Sequence, residues 1–315
     1  MKHPPYLRLN LGPAASFSIL AAMSLLFWWR PLANTLGLAL ANEAYTHILL
    51  ILPLSAALIY LNLNHVNSKV PRTDAQPSLC PGAPLPGAPL LGSALLAVAL
   101  LIGCYTRWGT NAAPADVRLS LAMFALVIWW IASVVCSFGL HTFRSLLFPL
   151  CFLFFLVPVP SLALSVIVDW LQHGSAWMAA TLFRPFGEPV QRDGILLSLP
   201  KLDIEVTREC SSIRSSFLLV ITTIVLAHLF LRSWWRNLLL VLIAIPLSIV
   251  KNGLRIFVIA ELGTHVDPGF LDGRLHHQGG IVFLVIALAA IVALLAILHR
   301  DEMRLELLSA PPREA

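Results

Sequence analysis

Charged residues are scarce in this sequence: Asp, Glu, Lys and Arg make up 12% of its 315 residues, whereas 58% are hydrophobic. A soluble domain carries about twice that share of charge, so the composition indicates a polytopic membrane protein. The net charge of +5 does not indicate a nucleic-acid partner, because Lys and Arg in membrane proteins mainly mark the cytoplasmic loops. The expected partner is the lipid bilayer, and no nucleic acid is expected.

Paired cysteine and histidine motifs are also absent. The five cysteines, Cys80, Cys104, Cys136, Cys151 and Cys210, form no CxxC pair, and neither HxxH nor HExxH occurs. The sequence therefore predicts no disulfide framework, no metal and no cofactor. An odd number of cysteines leaves at least one free thiol, and Cys210 is the candidate.

Long apolar runs, in contrast, are abundant, and a bilayer core of ~30 Å needs ~20 mostly apolar residues per helix. Eight transmembrane helices are predicted, near residues 15–32, 46–63, 89–106, 119–138, 145–160, 210–231, 237–261 and 280–299. We predict an all-α polytopic membrane protein that forms a single integral membrane domain over residues 1–315. The Pro- and Gly-rich stretch 64–88 is predicted as a cytoplasmic loop and 300–315 as a cytoplasmic tail. No cleavable signal peptide is expected, because the first run contains Trp-Trp-Arg and no small-residue cleavage site.

Basic residues in the loops predict the orientation of these helices. Lys2 and Arg8 place the N-terminus in the cytoplasm, and the C-terminus returns to that side. The later loop residues that agree are Lys69, Arg72, His141, Arg144, Arg232, Arg236, Arg300 and Arg304. Arg107 and Arg118 are the exception, because the loop that carries them is predicted on the outer side.

One further stretch, 162–183, is apolar enough to span but carries Asp169, Gln172 and His173 in its middle. Such residues are costly in a lipid-facing helix, and a full crossing would reverse the C-terminal half. We therefore predict one or two helices that lie in the interface or dip partway into the bilayer. Alternating apolar and charged residues after it predict a small extracytoplasmic β-hairpin at about 187–207.

With this topology, three polar clusters reach the outer face of the membrane. Cys210 begins the sixth span, Asn252 and Arg255 lie within two turns of the outer end of the seventh, and His276 and His277 precede the eighth. Each has a structural explanation by itself: a packed cysteine, an arginine anchored at the interface, and solvated histidines. Their convergence at one depth favours a functional site, because three independent coincidences would otherwise be needed.

These residue types fit nucleophilic catalysis. A helix N-terminus and a nearby cation both favour the thiolate of Cys210, and Arg214 follows one turn later. His276 would act as base toward the thiol and as acid toward a leaving amine, while Arg255 would hold the developing oxyanion. We expect Arg214 to face the protein interior and Glu209 to be a charge partner of the helix N-terminus.

The sequence resembles the exosortase/archaeosortase family of membrane transpeptidases. Its "ECSSIRS" from Glu209 resembles the family's cysteine motif, "NGLRI" from Asn252 the Asn-x-x-Arg motif, and "HHQGG" from His276 the histidine motif. The similarity extends over about residues 44–299 and includes "AYTHILLILPL", "FPLCFLFFLVPVP" and "GEPVQRDG". The family more often has Gly where this chain has Ser212.

The resemblance implies a protein-sorting enzyme of the bacterial inner membrane, with its active site on the periplasmic face and a link to exopolysaccharide production. Its substrates would be exported proteins that end in a Pro-Glu-Pro-like motif, a hydrophobic helix and a basic tail. Cys210 would be the nucleophile that forms a thioester, Arg255 the stabiliser of the transition state or thiolate, and His276 the acid/base. A cell-surface acceptor of unknown identity would resolve the thioester. The residues implied in support are Arg214, Asn252, His277 and Glu209, and His277 stays open as the alternative to His276.

Three other functions use the same residues. A membrane cysteine protease would hydrolyse the thioester, and the mass of the new C-terminus separates it from a transpeptidase. A transporter or polysaccharide-export subunit would spread ionisable residues along the depth of several helices, whereas here they crowd the outer ends. A metal site of Cys210, His173 and the two adjacent histidines is disfavoured, because the neighbouring arginines would repel a cation.

Overall fold

The structure is a computed structural model that describes residues 12–69, 88–109, 113–200, 202–206, 213–267, 269 and 274–309. Only the backbone is described at 65–69, 88, 274–279 and 306–309. The chain divides into two compact units, Met1–Ser161 and Leu162–Ala315. That both belong to one integral membrane domain stays a prediction.

The first unit is built from four long helices and a short one. These are α1 (Pro13–Ala41), α2 (Ile48–Lys69), α3 (Ala88–Trp108), α4 (Ala115–Ser145) and α5 (Leu147–Phe152), which a 3₁₀ turn continues to Leu156. Helix α4 packs against α1 and α3. Its buried Val127, Ile131 and Val134 recur at helical spacing and form a core with Leu146 and Leu150 of the following segment.

The proline-rich segment 157–160, which follows α5 and its 3₁₀ continuation, is held by side chains from α4 and from the 3₁₀ turn Glu43–Tyr45 that precedes α2. The hydroxyl of Tyr45 donates to the carbonyl oxygen of Val159 at 2.8 Å, and that of Ser120 donates to Pro158 at 2.7 Å. A proline supplies no backbone N–H, so the segment cannot continue the helix and its carbonyls need other donors. These bonds supply them and fix the break in the chain.

Seven helices in the described ranges are long and apolar enough to cross a membrane. These are Pro13–Ala41, Glu43–Asn64, Pro89–Trp108, Ala115–Ser145, Ile213–Phe230, Trp234–His265 and Gly280–Leu305. The helical stretches Leu147–Leu156 and Ser161–Phe186 pass only as a pair, which raises the number to eight if it is one broken span. The predicted all-α polytopic membrane protein is confirmed. The predicted helix near 145–160 is shorter than expected, because the prolines after Leu156 end it.

The second unit begins with α6 (Ser161–Phe183), the helix formed by the segment predicted at 162–183. It also contains α7 (Ile213–Phe230), α8 (Trp234–His265) and α9 (Arg274–Ser309). The last three pack against one another around a core that includes Leu219, Leu240, Ala244 and Ile291. Short connections make successive helices of this group antiparallel.

A small sheet packs on α6 and α8. Its strands β1 (Gln191–Asp193), β2 (Leu196–Leu199) and β3 (Leu202–Glu205) are antiparallel in that order. Gly194 has φ 59° in the tight turn after β1, a conformation that glycine adopts at no steric cost. The fully buried Leu197 and Val206 pack against alanines of α6 and Ile256 of α8. The hairpin predicted at about 187–207 is thus a three-stranded sheet.

Glu302 fixes one end of the α7–α9 group. Its carboxylate accepts the backbone N–H of Ser233 at 2.9 Å and of Arg232 at 3.1 Å, and lies 3.4 Å from the guanidinium of Arg236. A carboxylate at the N-terminus of α8 satisfies backbone donors that have no partner within the helix. Because the C-terminal part of α9 meets the start of α8 here, α7 and α9 both begin at the opposite end of the group.

Replacing Glu302 with Ala should lower the free energy of unfolding by about 1–3 kcal/mol, because a buried carboxylate that accepts two backbone hydrogen bonds is lost. The melting temperature of the detergent-solubilised protein measures this change. The neighbouring Asp301 is exposed, so Asp301→Ala is the matched control and should change stability little. Equal losses in the two variants would contradict the role of Glu302.

Candidate active site

One face of α8 carries a row of buried polar side chains. Ser248, Lys251, Asn252 and Arg255 recur at spacings of three and four residues and are only 2%, 4%, 1% and 8% exposed. We call these four residues the α8 polar row. Ionisable side chains inside membrane helices face the protein interior and mark functional sites, because they are costly against lipid. The row is therefore the first structural indication of a site in the second unit.

Hydrogen bonds join the α8 polar row to two neighbouring helices. The ammonium of Lys251 donates to the hydroxyl of Ser215 in the first turn of α7. The amide nitrogen of Asn252 donates to the hydroxyl of Ser175 on α6 at 2.9 Å. The other amide atom of Asn252, Oδ1, is buried and accepts no hydrogen bond from the described residues. Polar groups of three helices thus meet in the interior of the second unit.

Two glycines allow α6 and α8 to approach closely beside this row. A Cβ atom on Gly253 would lie 2.6 Å from Cβ of Met178 and 3.1 Å from the backbone nitrogen of Ala179. A Cβ atom on Gly174 would lie 3.0 Å from Cδ1 of Ile249. Small residues let helix backbones pack tightly in membranes. The contact holds the α8 polar row at a fixed distance from Ser175.

Cys210 lies in the stretch 207–212, outside the described residues. The structure describes both flanks of that stretch. On one side Val206 is fully buried. Its amide donates to the carbonyl oxygen of Ile195 at 3.0 Å, and its own carbonyl accepts from the side-chain amide of Gln172 at 2.7 Å. On the other side α7 begins three residues after the cysteine. Both flanks are anchored to elements of the second unit.

The first turn of α7 differs from the prediction. Arg214 is exposed, whereas Ser215 and Ser216 are buried. The expectation that Arg214 faces the protein interior is therefore wrong, because the small hydroxyl side chains occupy the buried side and leave the guanidinium free to remain hydrated. Its supporting role in the reaction stays a prediction. Glu209, like Cys210, lies outside the described residues, so its role stays a prediction as well.

The backbone of His276 and His277 belongs to the first turn of α9, which begins at Arg274. This turn is at the end of the α7–α9 group where α7 also begins, so Ser215, the last residue of the cysteine motif, and the backbone of the two histidines lie at the same end. Arg255 lies farther from the end of its helix than the two turns predicted, because α8 continues to His265. The choice between His276 and His277 stays open, since their side chains are not described.

The α8 polar row contains two basic side chains. Lys251 and Arg255 lie one turn apart on the same helix, where like charges repel. No acidic side chain of the described ranges forms an ion pair with Lys251. Such a site favours groups that carry or develop negative charge, such as a thiolate or an oxyanion.

Sequence reasoning missed Lys251, Ser215, Ser175 and Gln172 as parts of this site. A signal existed for Lys251, because a lysine within an apolar span is costly unless it has a role. The hydroxyl and amide residues gave no comparable signal, since such residues are tolerated in many membrane helices. Only the packing of α6, α7 and α8 shows that they meet.

A comparison with known families places these features in context. The family described as transmembrane exosortase matches residues 28–293. The matched range covers most of the chain and includes Cys210, the α8 polar row, His276 and His277. No curated protein and no solved structure matches the chain.

Proposed function

We propose that this chain, which belongs to the transmembrane exosortase family, is a membrane-embedded cysteine transpeptidase. Its substrates would be exported proteins with a C-terminal signal made of a Pro-Glu-Pro-like motif, a hydrophobic helix and a basic tail. The enzyme would cut at the motif and transfer the protein to a cell-surface acceptor. The same proposal places the enzyme in the bacterial inner membrane, with its site on the periplasmic face. It also includes a link to exopolysaccharide production.

The observation that carries this proposal is the position of the α8 polar row beside the first turn of α7. Lys251 bonds to Ser215 in that turn, and Arg255 follows Lys251 one turn later on the same helix. Ile213, where α7 begins, is three residues from Cys210, so the covalent chain holds the two Cα atoms within about 11 Å. A thiolate there would lie near a helix N-terminus and two cations, and all three favour its charged form.

The reaction follows from these groups. The thiolate of Cys210 attacks the carbonyl carbon of the scissile peptide bond, and the carbonyl electrons move onto oxygen. Arg255 stabilises this oxyanion. When the intermediate collapses, the C–N bond breaks, His276 gives its proton to the leaving amine, and a thioester on Cys210 remains. A nucleophile of the acceptor then attacks the thioester, His276 takes its proton, and Cys210 leaves as the thiolate.

The α8 polar row also supports an enzyme with a reactive site at one membrane depth rather than a transporter with a polar path across the bilayer. A transporter needs ionisable groups spaced through the bilayer on several helices. Within α8 the two buried cations, Lys251 and Arg255, lie one turn apart. In the described part of α7, the ionisable residues are Arg214 near its start and His228 near its end. This distribution supports a localised reactive site.

The function can be tested with an exported reporter protein that ends in the tripartite signal. Co-expression with this chain, in a bacterium without such processing, should shorten the reporter at the motif. A reporter with a scrambled motif is the control and should stay intact. The intact mass of the product separates transfer, which adds the mass of an acceptor, from hydrolysis, which leaves a free carboxylate. A full-length reporter beside correctly inserted enzyme would refute the proposal.

A further inference from the structure

Three arginines line a cavity of about 340 Å³ in the first unit. Arg30 comes from α1, Arg107 from the last turn of α3 and Arg118 from the first turn of α4. None of the described residues that line the cavity is acidic, and Asn34 and Thr106 add neutral polar groups. Three helices therefore bring positive charge to one concave surface of a size that suits a small ligand group.

Aromatic rings and a backbone bond hold Arg107 in place. Its guanidinium donates to the carbonyl oxygen of Phe27 at 3.0 Å and lies 5.4 Å from the ring centre of Phe27 and 5.5 Å from that of Trp108. The guanidinium of Arg30 lies 5.4 Å from the ring centre of Trp29. Stacking of this kind orients a guanidinium plane while leaving further N–H donors available.

The same aromatic residues indicate the depth of the cavity. Trp28 lines it, and Trp29 and Trp108 are 55% and 68% exposed on the helices beside it. Tryptophan is enriched where the bilayer meets water, at the level of the lipid headgroups. Arg107 is next to the last residue of α3, as expected for a side chain that reaches this level. These tryptophans place the cavity at the depth of the lipid headgroups.

We propose that this cavity binds the phosphate group of an anionic membrane lipid, whose headgroup brings no cation of its own to the three arginines. Guanidinium forks match phosphate oxygens with paired, charge-assisted hydrogen bonds. An anion bound among the three arginines would offset their mutual repulsion. Binding also explains why Arg107 and Arg118 flank a connection that is predicted on the outer side, where most loops of membrane proteins carry few cations. This role is independent of the cysteine chemistry, so Cys210→Ala should retain it.

Native mass spectrometry of the full chain, purified in neutral detergent, can measure the binding. Phosphatidylglycerol and phosphatidylcholine are added in turn, and inorganic phosphate serves as the competitor. We expect the wild-type chain to retain phosphatidylglycerol in preference to phosphatidylcholine. The affinity of the triple variant Arg30→Gln/Arg107→Gln/Arg118→Gln for phosphatidylglycerol should fall by at least about tenfold, because several charge-assisted hydrogen bonds are lost.

The matched control removes the same charge elsewhere, at the exposed Arg192, Arg300 and Arg304. Unchanged binding in this control supports the cavity, whereas an equal loss would show a general effect of surface charge and overturn the proposal. Competition by inorganic phosphate at the same concentration as the lipid would identify a free anion and overturn the assignment to a headgroup. If the triple variant does not fold, Arg30→Gln alone decides the question. The proposal would be overturned if Arg30→Gln retained as much phosphatidylglycerol as the wild-type chain. It would also be overturned if the wild-type chain showed no preference for phosphatidylglycerol over phosphatidylcholine.

Discussion

Replacing Cys210 with Ala is expected to abolish processing of the tripartite reporter, with a loss of at least about 10⁴-fold in rate. Without the sulfur no thioester forms, and substrate binding and oxyanion stabilisation alone give only slow cleavage. The measurement is the rate at which the shortened reporter accumulates, by intact mass, in membranes that contain equal amounts of each enzyme variant. Quenching the wild-type reaction should also capture a covalent adduct that hydroxylamine releases, as expected for a thioester.

Two other cysteines provide matched controls for this experiment. Cys136 on α4 and Cys151 on α5 are free and exposed in the structure, and neither belongs to the second unit. Their replacement with Ala should leave processing within about twofold of the wild-type rate, as for most surface substitutions. Full processing by Cys210→Ala, or loss of processing in either control, would exclude Cys210 as the specific nucleophile.

A chain in which Cys210 is the single remaining cysteine tests the predicted orientation. A thiol reagent that cannot cross membranes should label it when added from the periplasmic side of intact cells and fail to label it from the cytoplasmic side of inverted vesicles. The expectation follows from the distribution of loop cations, which predicts that the sixth span begins outside. Labelling from the cytoplasmic side alone would reverse the topology.

Much of the fold could be predicted from the sequence, because a bilayer imposes simple rules. Long apolar runs must form helices that satisfy their own backbone hydrogen bonds, and long helices are present at seven of the eight predicted spans. These rules predict less of the structure where a segment does not cross the bilayer as one continuous helix. The helix after α4 is short because Pro158 and Pro160 interrupt it, and hydrogen bonds from Tyr45 and Ser120 fix the interruption. Those partners are distant in sequence, so periodicity alone could not reveal them.

The candidate site was predictable in part, and for a different reason. Cys210, Arg255 and the two histidines stand out because reactive or charged side chains within or directly beside three apolar runs are predicted at one membrane depth. The residues that connect them do not stand out, since Ser175, Ser215 and Gln172 have roles only through contacts between α6, α7, α8 and the sheet. The orientation of Arg214 was missed because a spacing of one turn does not decide which side of a helix is buried. Lys251 could have been recognised from its cost in lipid alone.

Replacing Arg255 with Gln is expected to reduce the processing rate by about 10²–10³-fold. The substitution keeps the side chain polar and of similar length but removes the positive charge and most of the N–H donors that would face the oxyanion. Arg255→Lys should lie between Gln and wild type, because it keeps the charge and loses the planar fork. Rates of reporter processing at saturating substrate compare the three enzymes.

Two further measurements separate catalysis from a structural role for Arg255, which is buried on α8. If its charge supports the thiolate, iodoacetamide should alkylate Cys210 more slowly in Arg255→Gln than in wild type at neutral pH, because less thiolate is present. The melting temperature should meanwhile stay high enough that the variant remains folded at the assay temperature. Near-normal processing would make Arg255 a structural anchor. If processing is lost, the alkylation rate is unchanged and the melting temperature falls strongly, Arg255 supports the packing of α8. The positive charge that stabilises the thiolate would then have to come from Lys251.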